Sequence, residues 1–139
     1  MIGFTCGSFD LLHAGHILML TECKDYCDYL IVGLQVDPSV DRSEKNKPVQ
    51  SLFERQIQLE SVRYVDQVVV YETEADLVQV LLSFCPDRRF VSEEYRNKDF
   101  TGSEISGIEV IYNNRRHHFS SSRLRERCQD GSGWVMDRE

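Results

Sequence analysis

Short apolar runs alternate along this chain with longer segments in which apolar residues recur every three or four positions. The short runs have the length and composition of buried strands, and the longer segments have the period of helices that pack one face against a sheet. Strands are predicted near residues 2–6, 29–36, 67–71, 88–95 and 108–114, and helices near 17–27, 52–62, 75–84 and 120–128. This alternation predicts an α/β fold, a parallel five-stranded sheet with helices on both faces.

Two polar stretches interrupt the alternation. Residues 38–51 have prolines near both ends and no apolar period, so they predict a loop long enough to carry function. Ser51 is expected to cap the next helix, with Glu54 completing a capping box. A second long loop is predicted after the fourth strand. The expected organisation is one domain over residues 1–128 and a C-terminal tail over 129–139, which is loosely held or part of a subunit contact.

The composition narrows the functional classes. A net charge of -7 over 139 residues argues against a nucleic-acid binder, which would present a basic face. No apolar run approaches the ~20 residues that cross a bilayer, and the N-terminus lacks the basic and long apolar segments of a signal peptide. Five cysteines without C-x-x-C spacing predict reduced thiols. We therefore expect a cytoplasmic protein that does not bind membranes.

The stretch from Gly7 to His16, GSFDLLHAGH, joins the first strand to the first helix. His13 and His16 lie three apart at the start of that helix, so both side chains can project to one side. Gly15 lets a bulky anion approach the backbone, and the free amides and dipole of a helix start favour a phosphate. The pattern indicates phosphate handling. Zinc binding with His117 and His118 is a weaker alternative, because the spacing of known zinc motifs is missing.

This stretch resembles the G-[TS]-F-D-x-x-H-x-G-H signature of the cytidylyltransferase-like nucleotidyltransferases, most closely the glycerol-3-phosphate cytidylyltransferase branch. The resemblance implies a compact Rossmann-like domain that commonly forms a homodimer. It assigns His13 and His16 to stabilising charge on the α-phosphate during transfer. It also implies that the nucleotide is contacted along the turn, by Gly7, Ser8, Phe9, Asp10 and Gly15. For Asp10, capping of the following turn is an equal alternative.

The segment NRRHHFSSSRLRER resembles the late R-T-x-G-I-S-T-T motif of the same family. By that resemblance Arg115 and the serines Ser120, Ser121 and Ser122 hold the β- and γ-phosphates. His118 stands where the family has glycine, and His117 occupies the variable position. The structural alternative is an ordinary serine cap followed by a solvated basic helix.

Further site residues are expected from the same resemblance. Lys45 and Lys47, in the polar loop, are placed over the triphosphate and the acceptor phosphate, and otherwise are surface lysines. Arg63 is expected in the site, whereas Arg55 is expected to be structural. Glu93 and Glu94 stand where family members read the base; the alternative is an exposed acidic pair.

The expected function is transfer of a CMP group from CTP to a phosphorylated small molecule, glycerol 3-phosphate or another polyol or sugar phosphate, with release of pyrophosphate. An adenylyltransferase of the same fold, which uses ATP to make cofactors or to activate heptose phosphate, is the alternative. A non-catalytic nucleotide-binding module is the more distant one. Mg2+ is expected with the triphosphate. The sequence has no clear carboxylate cage, so no protein metal ligands are expected.

Overall fold

A computed structural model describes residues 1–114, 117, 119–131, 133 and 134. Within these residues the chain forms five strands, four α-helices and a single 3₁₀ turn. The strands are β1 (Ile2–Gly7), β2 (Tyr29–Gln35), β3 (Gln67–Tyr71), β4 (Arg88–Ser92) and β5 (Glu109–Asn113). The helices are α1 (Ala14–Asp25), α2 (Leu52–Glu60), α3 (Glu74–Phe84) and α4 (Ser121–Asp130), and the 3₁₀ turn is Glu93–Tyr95.

The five strands form one sheet in the order β3-β2-β1-β4-β5, and all four pairings are parallel. The predicted α/β fold with a parallel five-stranded sheet is therefore confirmed. The chain winds from β1 outward to β3 and then returns across the sheet to β4, so the winding direction reverses between β1 and β4. Ligands of open α/β sheets bind outside the carboxyl ends of the strands at such a reversal.

Apolar side chains of β2 alternate between the two faces of the sheet. Leu30, Val32 and Leu34 join one core cluster with Leu20 of α1 and Leu59 of α2. On the other face Ile31 joins Phe4 in a second cluster with Leu77 and Leu81 of α3. Helices therefore pack on both faces of the sheet, as predicted. Burial on both faces explains why the sequence of β2 is almost continuously apolar.

Element ends differ from the sequence prediction where local capping decides them. Helix α1 begins at Ala14, three residues before its apolar run, because His13 caps it. Ser51 Oγ accepts a hydrogen bond from Glu54 N at 3.2 Å as predicted. The return bond from the Glu54 side chain is absent among the described contacts, so the expected capping box is only half formed. Thr73 and Asp76 form a complete box at α3, which the sequence analysis did not predict.

The fourth strand is shorter than predicted, because it ends at Ser92 and the chain then enters the 3₁₀ turn. Helix α4 continues to Asp130, so the predicted boundary at residue 128 falls in its last turn, and the division into domain and tail stays a prediction. All five cysteines are free thiols. Over the described part of the chain, none of the helices has the length and apolar character required to span a membrane.

Candidate active site

The turn between β1 and α1 has an unusual backbone. Phe9 and Leu11 adopt positive φ angles of 48° and 51° without being glycine. Left-handed geometry costs an L-residue roughly 1–2 kcal/mol, and such outliers persist where the surrounding structure over-determines them. Burial of the Phe9 side chain helps to hold this backbone conformation. The side chain lies in the α1–α2 core, and its ring centroid is 5.3 Å from that of His16. The turn thereby holds the start of α1 at the carboxyl end of β1.

His13 and His16 cap α1 reciprocally. His13 Nδ1 accepts a hydrogen bond from Gly15 N at 3.0 Å, and His16 Nδ1 accepts one from His13 N at 3.2 Å. The ring centroids are 4.0 Å apart. Since each Nδ1 acts as an acceptor, the neutral form of each ring has its proton on Nε2. The cap therefore fixes two imidazoles as Nε2–H donors at a helix start.

Burial keeps His16 neutral. Desolvation, with a smaller contribution from the neighbouring His13, lowers the pKa of His16 from 6.5 to about 4. At neutral pH this ring is consequently an uncharged hydrogen-bond donor. It is therefore suited to stabilising developing negative charge, with no role required of it as a base.

Gly15 is required by close packing at the same place. A Cβ at this position would lie 2.8 Å from His13 Cε1 and 2.9 Å from His117 Cε1. Contacts this short do not occur between real side-chain atoms, so any other residue would displace one of the two rings. The glycine thus makes room for both imidazole rings beside the helix start.

Asp10 is buried and organises its surroundings. Its carboxylate accepts hydrogen bonds from Val49 N, Gln50 N and Arg125 Nη2, at 2.8, 2.9 and 2.9 Å. Its carbonyl accepts one from Ser121 Oγ at 3.2 Å. Asp10 therefore ties the turn to the 38–51 loop and to α4. These contacts are long-range, unlike the local turn cap that the sequence analysis kept as an alternative.

Arg55 of α2 links the segments that follow β1 and β2. Its guanidinium donates to the carbonyl oxygens of Ser8, Gln35 and Val36 at 3.0, 2.7 and 2.6 Å, and the side chain is 2% exposed. These carbonyls lie where β1 and β2 leave the sheet. The expectation that Arg55 is structural agrees with this geometry.

The start of α4 faces the same region. Ser120 caps this helix by accepting a hydrogen bond from Arg123 N at 3.1 Å. Ser121 is held against Asp10, and Ser122 is exposed in the first turn. Arg115 and His118 lie outside the described residues.

A cavity of about 1020 Å³ opens at the carboxyl ends of the strands. It brings together the start of α1 and the start of α4, the two features that the sequence analysis singled out. The predicted site residues on its lining are Gly7, Ser8, His13, Gly15, His16, Lys45, Ser120 and Ser121. The predicted site residues among the described ones that are not on its lining are Phe9, Asp10, Lys47, Arg63, Glu93, Glu94 and Ser122.

Some of these residues have other contacts that explain their places. Arg63 follows α2 and stacks on the neighbouring Tyr64 ring, with its guanidinium carbon 5.0 Å from the centroid. It precedes β3, so it lies towards the amino-terminal edge of the sheet, away from the cavity. Glu93 is exposed and pairs with Arg96 at 2.6 Å, which matches the exposed-acid alternative. The adjacent Ser92 and Tyr95 line the cavity instead.

The cavity also has a polar part that sequence reasoning missed, on the α3 side of the sheet. Glu74, at the start of α3, accepts hydrogen bonds from Gln35 Nε2 and Thr101 Oγ1, each at 3.3 Å. Arg42 Nη2 approaches the same carboxylate at 3.6 Å. These residues come from four separate segments, so no local spacing in the sequence marks them.

Arg89 of β4 is the buried cation of that part of the cavity. It is 4% exposed, donates to Thr101 O, and lies with its guanidinium carbon 5.0 Å from the Phe100 ring centroid. Across the described residues it has no carboxylate partner, and its Nε has no hydrogen-bond acceptor. A buried guanidinium without a counter-ion is costly. Its place on the cavity lining therefore favours an anionic ligand.

The described residues contain no cluster of three or more histidine, cysteine or acidic side chains that fits a metal ion. The zinc alternative therefore has no support from this part of the chain.

Imidazole donors at one helix start, faced by a serine-capped second helix at a reversal point of a parallel sheet, define a phosphate-binding α/β protein of the nucleotide-handling class. The sequence model of the cytidylyltransferase-like family matches residues 4–127. The chain belongs to this family.

Curated relatives of this chain include several proteins that share one name. The chain is 37% identical over 134 residues to "Bifunctional protein HldE" of Rhodopseudomonas palustris (strain BisB18), covering 94% of this chain and 27% of that protein. It is 38% identical over 105 residues to the protein of the same name from Granulibacter bethesdensis, covering 75% and 21%. The chain thus spans about a quarter of the length of these relatives.

Solved structures support the fold. A lipopolysaccharide core biosynthesis protein from Thermoplasma volcanium superposes with a TM-score of 0.68 at 21% identity, covering 83% of this chain and 97% of that one. Pantothenate synthetase from Thermus thermophilus gives a TM-score of 0.57 at 12% identity, covering 94% and 70%. At these identities the likeness concerns the Rossmann-like fold alone.

Proposed function

We propose that this protein transfers the AMP group of ATP to the phosphate of a phosphorylated sugar and releases pyrophosphate. The observation that carries the proposal is the shared cavity, whose lining includes His13 and His16 at the start of α1 and Ser120 and Ser121 at the start of α4. This arrangement suits a triphosphate that extends from the start of α1 to the start of α4. The sequence expectation placed CTP first and ATP second, and the proposal reverses that order.

The chemistry follows from the charges. An oxygen of the acceptor phosphate attacks the α-phosphorus, the bond from that phosphorus to the bridging oxygen breaks, and pyrophosphate leaves with the bonding pair. The acceptor is already an anion, so no general base is needed. Negative charge grows on the α-phosphate oxygens, where preorganised hydrogen-bond donors stabilise it. The fixed tautomer of His13 and His16 meets that need.

The choice of ATP is supported by the relatives. Relatives that cover 93–94% of this chain include HldE proteins at 37–39% identity. We assign the matching segment to the adenylyltransferase branch that activates heptose phosphate, which is the alternative of the sequence analysis. Mg2+ enters this scheme as part of the substrate, Mg-ATP.

The acceptor is assigned from the α3 side of the cavity. Glu74 and Thr101 offer hydrogen-bonding groups suited to sugar hydroxyls, and Arg42 and Lys45 bring positive charge from the 38–51 loop. Arg89 adds a buried cation without a carboxylate partner among the described residues. A sugar phosphate matches this combination better than glycerol 3-phosphate does, since it has more hydroxyls to pair. A homodimer stays a prediction.

The test is a pyrophosphate-release assay of the purified protein with Mg-ATP and Mg-CTP in parallel, each with heptose 1-phosphate, other hexose and heptose phosphates, and glycerol 3-phosphate. The expected result is turnover with ATP and a sugar phosphate that exceeds every CTP combination. Preferred turnover with CTP and glycerol 3-phosphate would restore the first sequence expectation. Nucleotide binding without turnover on any acceptor would favour a non-catalytic module.

A further inference from the structure

His117 lies on the lining of the cavity, although neither the sequence motif nor the proposed chemistry gives it a task. It lies in the segment between β5 and α4, far along the chain from the α1 histidines. The resembling family motif has a variable position there.

The contact that brings His117 into the site is made at Gly15. Its Cε1 atom and that of His13 both lie within 2.9 Å of the place where a Gly15 Cβ would stand. The rings of His13 and His117, about a hundred residues apart in the chain, therefore pack against the same glycine at the start of α1. The absence of a side chain at Gly15 makes room for the third imidazole.

The orientation of the ring is fixed in the same way as in the α1 pair. His117 Nδ1 accepts a hydrogen bond from Phe119 N at 3.1 Å. Its ring stacks on that of Phe119, with centroids 5.2 Å apart and planes inclined by 24°. Because Nδ1 is an acceptor, the neutral ring has its proton on Nε2. All three histidines thus adopt the tautomer that donates from Nε2.

We propose that His117 is a third catalytic histidine, whose Nε2–H donates a hydrogen bond to the triphosphate on the side of the leaving pyrophosphate. The identity of the ligand rests on the proposed function. As the bond to the α-phosphorus breaks, the bridging oxygen takes the bonding pair, and an N–H donor at that oxygen or its neighbours stabilises the charge. The proton stays on the ring, and pyrophosphate leaves as an anion.

A purely structural His117 would pack Phe119 against the α1 cap without touching the nucleotide. Histidine ring resonances in ¹H–¹⁵N NMR spectra of the wild-type protein separate the two roles, with His→Ala variants used for assignment. The probe is Mg2+ with α,β-methylene-ATP, which cannot be cleaved at the reacting bond. We expect the Nε2 signals of His13, His16 and His117 to shift together. Shifts of the first two alone overturn the inference, and no shift at all overturns the proposed function with it.

Steady-state kinetics of His117 variants provide a second test of the inference. His117→Ala is expected to lower kcat about 10- to 100-fold, as for the loss of one hydrogen bond to a charged group, with a smaller change in KM for ATP. His117→Gln, which keeps an N–H donor, is expected to recover part of the loss. The control is Gln129→Ala, an exposed side chain of α4 away from the cavity lining, which should behave as wild type. A His117→Ala enzyme within twofold of wild type overturns the inference, whereas an inactive wild-type enzyme counts against the proposed function.

Discussion

Histidine is an unusual choice for a helix cap, a position that serine, threonine, aspartate and asparagine dominate. At α1 the choice has a chemical consequence, because capping consumes Nδ1 of His13 and His16 and leaves Nε2 as a donor. A serine at position 13 would also cap the helix, but it would have no ring nitrogen to donate beyond the turn. The hydrogen bonds that cap α1 therefore also orient the two imidazoles of the candidate site.

The lowered pKa of His16 makes stability depend on pH. The unfolded chain binds a proton near pH 6.5, whereas the folded chain binds it only near pH 4. Between these values the unfolded state holds more protons, so stability falls as the pH falls, by up to about 1.4 kcal/mol per unit. Urea titrations from pH 7 to 4 should show this loss in the wild type.

The control for that titration is His16→Asn, whose side-chain oxygen can still accept from His13 N but does not titrate. Its stability should decline less over the same range, with the difference confined to pH 4–6.5. Parallel curves for the two proteins would show that His16 is not held neutral by burial.

At the scale of elements, Arg55 and Asp10 are the residues that hold the loops around the cavity. Replacing Arg55 with leucine leaves the carbonyls of Ser8, Gln35 and Val36 without their donor. Buried groups left unsatisfied cost about 1–3 kcal/mol each, so we expect a loss of several kcal/mol in urea unfolding. The matched control is Arg63→Leu at an exposed position, with an expected change within about 0.5 kcal/mol. Equal losses in the two variants would contradict this role of Arg55.

Sequence reasoning succeeded where the physics is local. Apolar periodicity located the strands and helices, and five residues of the ten-residue stretch at Gly7–His16 line the cavity. It did not place Glu74 or Arg89 in the cavity, because their partners come from distant segments. Asp10 was weighed as a local cap, whereas its contacts reach residues 49, 50, 121 and 125. Contacts of that range depend on the order of strands in the sheet, which periodicity does not encode.

At the scale of the whole molecule, the reversal of winding between β1 and β4 opens one cavity to both faces of the sheet. On the proposed function, the α1 side takes the triphosphate and the α3 side takes the sugar phosphate. The two substrates then meet at the carboxyl end of β1, where His13 and His16 are fixed.

This division predicts separable kinetic effects. Glu74→Ala removes the acceptor of the bonds from Gln35 and Thr101, so we expect KM for the sugar phosphate to rise about tenfold, as for the loss of one hydrogen bond to a charged group, with KM for ATP unchanged. Glu72→Ala, an exposed neighbour off the cavity lining, is the control. A rise in KM for ATP instead would place the nucleotide on the α3 side.

The most direct measurement compares kcat for pyrophosphate release with the dissociation constant of Mg-ATP, in the wild type and in His16→Ala. Loss of a donor that acts in the transition state should lower kcat about 100- to 1000-fold and change the dissociation constant far less. Equal changes in both quantities, or an unchanged kcat, would contradict the assignment of the α1 histidines to the reacting phosphate.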